Sequence, residues 1–372
     1  MHSQNTIKDD LPENLDLNDK FKLTSDVMEN TDLSVFVTGP AGTGKTTLEK
    51  YFIANTKKKV VVLAPTGVAA LNAGGQTIHS FFRLPSKIIQ KDDIRRVMHS
   101  ALIQNLDMVI IDEVSMVRAD LMDAVDYALR VNRETGEPFG GVQMAFFGDL
   151  FQLPPVVKKE EMEVLKKKYR TPFFFSAKVF DEFEIKYIEL SKIYRQMDVE
   201  FINLLSRIRN KQHTDKDLRL LNKQVQKTNL HSASDKVIVL TTTNHLASTI
   251  NQDRLAMLSG REYSYKANVI GRFDVSAYPT DSDIRLKEGA QIILIKNDIN
   301  KQWVNGTLAK VVELSNTSIK VDIKGCICEV PIDKWDKIEY SYDEKEDKVK
   351  ASVIGTFSQY PIRLAWALTI HK

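Results

Sequence analysis

The chain holds 372 residues, enough for about two and a half domains of typical size, and a chain of that length needs neither disulfides nor structural metals to bury a core. Hydrophobic residues at 43% and charged residues at 27% exclude wholesale disorder. With 52 basic against 49 acidic residues the net charge is only +3, so no global charge selects a nucleic-acid partner. The charge is uneven: residues 1–33 carry three Lys against eight Asp and Glu, leaving 49 basic and 41 acidic residues on the remainder. That excess permits a nucleic-acid partner and says no more.

Two cysteines, Cys326 and Cys328, are too few for a disulfide-rich scaffold or a four-ligand zinc site. Their C-x-C spacing reads as ordinary strand. The N-terminus, MHSQNTIKDD, has no signal-peptide core. The longest uncharged stretch, residues 60–82, is broken by Pro65, Gly67, Gly74, Gly75 and Gln76 and cannot be a lipid-facing helix. The expectation is a soluble intracellular protein that does not meet a membrane, cytoplasmic in a bacterium and nuclear or mitochondrial in a eukaryote.

In chain order, residues 1–16 read as a loose acidic leader and 17–30 as a short amphipathic helix. Apolar runs at 33–38, 60–64, 108–112 and 143–147, each bounded by Gly, Pro or Asp, predict buried strands. The segments between them, such as 46–55 and 119–131, have helical periodicity, and this alternation predicts a parallel sheet flanked by helices. Residues 156–170 read as a charge-rich, solvated helix, and Phe173, Phe174 and Phe175 as core. A second alternating block follows: strand 186–190, helix 199–209, strand 237–242, helix 245–258. From about residue 300 to 357 the period becomes two, with short strands at 306–314, 318–323, 327–330, 338–342 and 349–357, which predicts a small β-barrel inserted in the second α/β block.

The strongest motif is Gly39-Pro40-Ala41-Gly42-Thr43-Gly44-Lys45-Thr46, a full match to G-x-x-x-x-G-K-[ST] between a predicted strand and a predicted helix. Its glycines let backbone N–H groups converge on phosphate oxygens, and the helix beginning near Lys45 adds its positive end. Lys45 supplies a charge to the β- and γ-phosphates, and the Thr46 hydroxyl is placed to ligate Mg²⁺. Met108-Val109-Ile110-Ile111-Asp112-Glu113 is an apolar strand ending in two carboxylates, with Asp112 suited to hold the metal and Glu113 to act as general base. Together the two motifs predict a nucleoside-triphosphate site.

Two further loops fit the same chemistry. Gln152, in Gly148-Asp149-Leu150-Phe151-Gln152-Leu153-Pro154-Pro155, stands after the fourth strand where it can sense a γ-phosphate. Arg195, in Leu190-Ser191-Lys192-Ile193-Tyr194-Arg195-Gln196, stands where an arginine finger would. For a strand of nucleic acid, Thr66 and Ser80 hydroxyls and the Gly67 N–H can bond phosphates, while His79 and one of Phe81 and Phe82 offer faces for base stacking, the other being buried.

These pieces resemble superfamily-one DNA helicases of the Pif (petite integration frequency) family, with RecD-type helicases as near relatives. The matching segments are GPAGTGKTT (39–47), APTGVAALNAGGQTIHSFFRLP (64–85), VIIDEVSMV (109–117), FGDLFQLPPV (147–156), LSKIYRQ (190–196), IRLKEGAQIILIKND (284–298), WVNGT (303–307) and RLAWALTIHK (363–372). They span nearly the whole chain in the family order. The resemblance implies an α/β P-loop NTPase with two RecA-like parallel-sheet domains and a small inserted SH3-like β-barrel. It implies ATP and Mg²⁺ as cofactors, single-stranded DNA and single-strand/duplex junctions as partners, 5′-to-3′ translocation and unwinding by a monomer, and a place in DNA repair, recombination and telomere maintenance.

Carried over residue by residue, Gly39, Pro40, Ala41, Gly42, Thr43, Gly44, Lys45, Thr46 and Thr47 fall on the nucleotide-binding loop, Thr46 and Asp112 on the metal positions, and Lys45, Asp112, Glu113, Gln152 and Arg195 on the catalytic ones. Pro65, Thr66, Gly67, Thr77, His79, Ser80 and Phe82, with His371 and Lys372, fall on segments that contact DNA. Residues 83–93 fall on a wedge element that splits the duplex. The implied layout is a leader and first helix over 1–32, a first RecA-like domain over 33–190, a second over 191–299 and 358–372, and the barrel over 300–357.

Two departures stand out. Where the family usually has an adenine-reading Gln in the first helix, this chain offers only Asn18 and Lys20, which leaves base selectivity open. The family also continues past Lys372 with Ser-Gln-Gly and a segment carrying a second arginine finger, so the expectation is a C-terminally incomplete helicase. Its alternative is an ATP-responsive, single-strand-binding fragment with weak turnover. A P-loop enzyme acting on a small molecule is a third reading.

Overall fold

The computed structural model describes residues 15–225 and 237–369, apart from Ser86, His99, Lys301, Glu344 and Asp347. His371 and Lys372, expected to touch DNA, lie outside the described residues. The described chain divides into two compact units, one containing residues up to 214 together with 338–353, the other containing 215–337 and 354 onward.

The first unit is built on a six-stranded sheet: β1 (Val35–Thr38), β2 (Val60–Ala64), β3 (Gln76–Thr77), β4 (Met108–Ile111), β5 (Gln143–Phe147) and β6 (Lys186–Glu189), in the order β3-β2-β4-β5-β1-β6. Every pairing is parallel, with Val35 beside Ala145 and Lys186, and Val61 beside Val109. Alternation along the strands sends side chains to two cores. Val35, Val37, Val62, Met108, Ile110, Ala145 and Phe147 pack with α1 (Asp19–Asn30) and α2 (Lys45–Asn55), whose Phe21, Met28, Leu48 and Phe52 are buried. Phe36, Val61, Leu63, Val109, Ile111, Met144 and Phe146 face the opposite core, with α4 (Ile78–Phe82), α5 (Ser100–Gln104) and α6 (Ala119–Arg133). A short α3 (Gly67–Ala73) follows β2.

Helix α1 starts two residues later than its hydrophobic pattern because Asn18 caps it, accepting the Phe21 N–H at 3.0 Å. The charged helix α7 spans Lys159–Lys168. Of the three consecutive phenylalanines only Phe174 is fully in the core; Phe175 is 47% exposed and stacks edge-on against Phe174. The unit closes with α8 (Val199–Arg209).

A segment distant in sequence completes this unit. Residues 338–353 carry the tip of a long hairpin, β15 (Asp333–Asp343) and β16 (Lys348–Gln359). Tyr340 is buried against Phe81 (ring centroids 6.4 Å apart, edge-on), and its hydroxyl accepts the Val62 N–H at 3.4 Å. Burial pushes the Tyr340 phenol up to about 12. Gln76 Nε2 donates to the Ile338 carbonyl at 2.7 Å.

The second unit holds α9 (Asp215–Asn222), β7 (Val239–Thr241), α10 (Asn244–Met257), β8 (Tyr263–Lys266), β9 (Asn268–Gly271) and β10 (Asp283–Leu286). Its main sheet is antiparallel, ordered β14 (Cys326–Glu329), β13 (Ile319–Ile323), β12 (Leu308–Leu314), β11 (Gln291–Leu294), β17 (Ile362–Leu364), around a core that includes Leu286, Ile292, Trp303, Val311, Ile319, Val321 and Trp366. The sheet is therefore wider than the 300–357 span of period-two sequence, while the two longest strands of that span, β15 and β16, belong to another sheet. A parallel pair, β7 with β18 (Ala367–Thr369), lies beside α10, where Asn251 exchanges two 2.8 Å hydrogen bonds with the Ala367 backbone. Among the described residues no helix is long and apolar enough to cross a membrane.

Candidate nucleotide and nucleic-acid site

All six strands of the first unit run in one direction, so their carboxyl ends share one edge, the usual place for a ligand in such sheets. The loops after β1, β4, β5 and β6 meet there around a cleft of about 670 Å³ lined by Ala41, Gly42, Gly44, Lys45, Thr46, Thr47, Asp112, Glu113, Gly148, Asp149, Gln152, Tyr194 and Arg195. The structure thus brings together the five catalytic residues expected from the sequence.

The β1–α2 loop takes the shape its glycines allow. Gly42 has φ +79°, and a Cβ on it would fall 2.6 Å from the Arg195 Cβ. Tyr194 N–H donates to the Gly42 carbonyl at 2.8 Å, so the loop after β6 lies directly against the phosphate loop. Thr43 is buried and bonds the Pro40 carbonyl at 2.9 Å. Lys45 Nζ folds back to the Gly39 and Pro40 carbonyls at 2.7 and 3.2 Å. Burial pulls its pKa below the ordinary lysine value, against the support of Asp149 and Glu113.

Across the cleft, Asp112 and Glu113 are adjacent at the end of β4. Burial, then the neighbouring Glu113 charge, raises Asp112 to about 6, although Glu113 N–H donates to its Oδ1 at 2.8 Å. Burial also raises Glu113, which Lys45 partly offsets. Glu113 sits at φ 50°, ψ 40°, a left-handed conformation that costs a non-glycine residue of order 1 kcal/mol or more and aims its side chain into the cleft. Two crowded, desolvated carboxylates are a donor set that a divalent cation would relieve, and Thr46 lines the same cleft. Mg²⁺ commonly takes only one or two protein ligands alongside phosphates and water, so the absence of any cluster of three ligating side chains among the described residues is no obstacle.

The cleft is also lined by Leu15, Asp16, Phe21 and Tyr194. Neither Asn18 nor Lys20 lines it: Asn18 Nδ2 donates to the Tyr194 hydroxyl at 2.7 Å, and Lys20 Nζ to the Glu189 carbonyl at 2.6 Å. They therefore tie the start of α1 to the end of β6 and to the loop after it. Phe21 and Tyr194 were not singled out from sequence because ordinary apolar spacing gave no sign that they would border the cleft.

The segment expected to meet DNA forms α3 and α4. Thr66 and Thr77 are N-caps, accepting the Ala69 and Ser80 N–H groups, both at 3.2 Å. Pro65, Gly67, Thr77, His79 and Ser80 are partly exposed. Burial, then the nearby Arg118 charge, lowers the His79 pKa and favours the neutral ring. Phe82 requires a correction: both members of the pair are buried, packed edge-on at 4.8 Å, so neither offers a face to a base. The apolar demand of the core beneath α4 takes both rings.

A family model described as PIF1-like helicase matches residues 18–219. The ATP-dependent DNA helicase PIF1 of Xenopus laevis is 32% identical over 364 residues, covering 92% of this chain and 54% of that protein. The crystal structure of Bacteroides sp Pif1 in complex with ADP-AlF4 is 37% identical with a TM-score of 0.89, covering 96% of this chain and 84% of the other. Bacteroides Pif1 bound to ssDNA is 38% identical with a TM-score of 0.64, over 96% and 83%. The chain spans about half the length of the curated vertebrate relatives it matches.

Proposed function

Because the chain belongs to the PIF1-like helicase family, we propose that it is an ATP-dependent DNA helicase that translocates 5′-to-3′ on single-stranded DNA and unwinds duplex at single-strand/duplex junctions. The observation that carries this reading is the single cleft in which a phosphate loop, the Asp112–Glu113 pair, Gln152 and Arg195 converge. In it the loop over residues 39–47, which apart from Pro40 carries backbone N–H donors, binds the phosphates, and Lys45 leaves its two carbonyls to pair with the γ-phosphate. Thr46 and Asp112 would hold Mg²⁺, which would supply charge neutralisation to the phosphates. Glu113 takes the proton of the attacking water, Gln152 senses the γ-phosphate, and Arg195 stabilises charge on the transferring group.

Pro65, Thr66, Gly67, Thr77, His79 and Ser80 form the DNA-contacting segment, with hydroxyls and backbone for phosphates and His79 for a base. In this layout a first RecA-like domain runs over 33–190 with a wedge at 83–93. A second RecA-like domain follows and takes in an inserted β-barrel that begins near residue 300. The protein works as a monomer inside the cell.

The test pairs turnover with unwinding. Wild-type protein should hydrolyse ATP faster with single-stranded oligonucleotide and open a 5′-tailed but not a 3′-tailed duplex. Lys45→Ala should abolish turnover and keep strand binding. A protein that hydrolyses ATP yet neither binds nor responds to oligonucleotide would instead be a P-loop enzyme of small-molecule metabolism.

A further inference from the structure

The Gln152 loop contains a buried ion pair that the roles above leave unused. Asp149, 3% exposed, divides its carboxylate between two partners on its own loop and one outside it. Oδ1 accepts the Phe151 N–H at 3.1 Å, and Oδ2 accepts the Gln152 Nε2 at 3.1 Å. From outside, Arg209 at the end of α8 pairs its Nη2 with Oδ1 at 2.7 Å. The Arg209 guanidinium also lies 4.4 Å above the Phe151 ring. Both residues belong to the first unit.

Arg209 does not line the nucleotide cleft, whereas Asp149 and Gln152 do. The Gln152 amide is thus anchored through one carboxylate, and that carboxylate is oriented by a charge-assisted bond and a stacked ring contact. Asp149 supports the Lys45 charge and Arg209 opposes it, so the pair stands within the electrostatic reach of the phosphate-binding lysine. Removing Arg209 would leave a buried carboxylate unpaired. Lys45, whose charge Asp149 already supports, would not replace that bond, and the geometry at Gln152 would loosen.

We propose that Arg209 is a positioning residue for ATP hydrolysis, acting through Asp149 to hold the Gln152 amide at the γ-phosphate end of the cleft. This rests on the reading of the cleft as an ATPase site. A misplaced group at the γ-phosphate lowers the rate of the chemical step while leaving nucleotide binding nearly intact. Arg209→Gln should therefore reduce kcat by about 10- to 100-fold, below the loss typical of deleting a direct transition-state donor, with KM for ATP and the affinity for ADP within about twofold. Arg209→Lys, which keeps the charge but not the planar fork, should recover a large part of kcat.

The decisive experiment is a double-mutant cycle of Arg209→Gln with Gln152→Ala, measured as DNA-stimulated turnover. If Arg209 acts through Gln152, the double variant should be no slower than Gln152→Ala alone. Multiplicative losses, or a raised KM with unchanged kcat, would overturn the proposal. If Arg209→Gln fails to fold by circular dichroism, Arg209→Lys decides: a severalfold lower kcat at constant KM supports it, and an unchanged kcat overturns it. Absence of turnover in the wild-type protein would overturn the ATPase reading itself, and with it this inference.

Discussion

Glu49 lies one helical turn beyond Lys45 on α2, fully buried, with neither carboxylate oxygen hydrogen-bonded. Burial, then the Asp112 charge, raises its pKa well above the ordinary glutamate value. Below the unfolded-state value both states are protonated and the residue adds no pH dependence. As pH rises through that value the unfolded chain releases a proton that the folded one keeps, so stability falls until the folded pKa is passed. Glu49→Met should therefore stabilise the nucleotide-free protein at pH 8 by about 1–3 kcal/mol, the usual range for an unsatisfied buried polar group, with the gain shrinking towards pH 5. Urea denaturation across that range measures it; an equal gain at every pH would exclude the carboxyl's ionisation as the cause. Gly42 offers a second test, since its positive φ and the Arg195 Cβ leave no room for a methyl group. Gly42→Ala should weaken ATP binding at least tenfold, read by equilibrium titration, with a stability loss of roughly 1 kcal/mol or more.

At the scale of elements, α4 separates two residues that the sequence offered together. Phe82 is 2% exposed, so Phe82→Ala should cost about 3–5 kcal/mol in a thermal or chemical melt, as large core truncations do. His79 is partly exposed, and His79→Ala should leave the melt nearly unchanged while weakening single-strand binding by about 1–3 kcal/mol if it stacks on a base. Fluorescence anisotropy with a labelled oligonucleotide distinguishes them, and unchanged affinity in His79→Ala would make the ring a packing residue only. The parallel strands β1, β2, β4 and β5 were legible because strands covered on both faces read as unbroken apolar runs. Their loops were legible because phosphate chemistry demands glycines, a lysine and carboxylates at fixed spacing. Arg209 was not, because a terminal helix arginine has the same local pattern whether solvated or paired with Asp149. The strands β8 to β10 are only four residues each, too short for their alternation to stand out from the surrounding loops.

At the scale of the whole molecule, the period-two sequence after residue 300 was legible as strand but not as destination. Alternation fixes which side chains share a face, and it carries no record of which sheet or core the face will meet. That is why 338–353, read as part of a barrel, instead supplies Tyr340 to the first unit. Tyr340→Ala should destabilise that unit by about 3–5 kcal/mol, and Tyr340→Phe by about 1 kcal/mol through loss of the Val62 hydrogen bond. Hydrogen exchange at β2 and α4 reads both; protection unaltered in Tyr340→Ala would show that the tip is dispensable.

This arrangement also sets a schedule for synthesis. The first unit's continuous part ends at residue 214, and the hairpin tip begins at residue 338. At roughly 5–20 residues per second the ribosome needs about 6–25 s to make the intervening chain. Throughout that interval the nascent first unit presents an open apolar seat beside Phe81 and Val62. A fragment ending at residue 214 should consequently bind a hydrophobic dye and aggregate, and a peptide spanning 336–355 added in trans should suppress both.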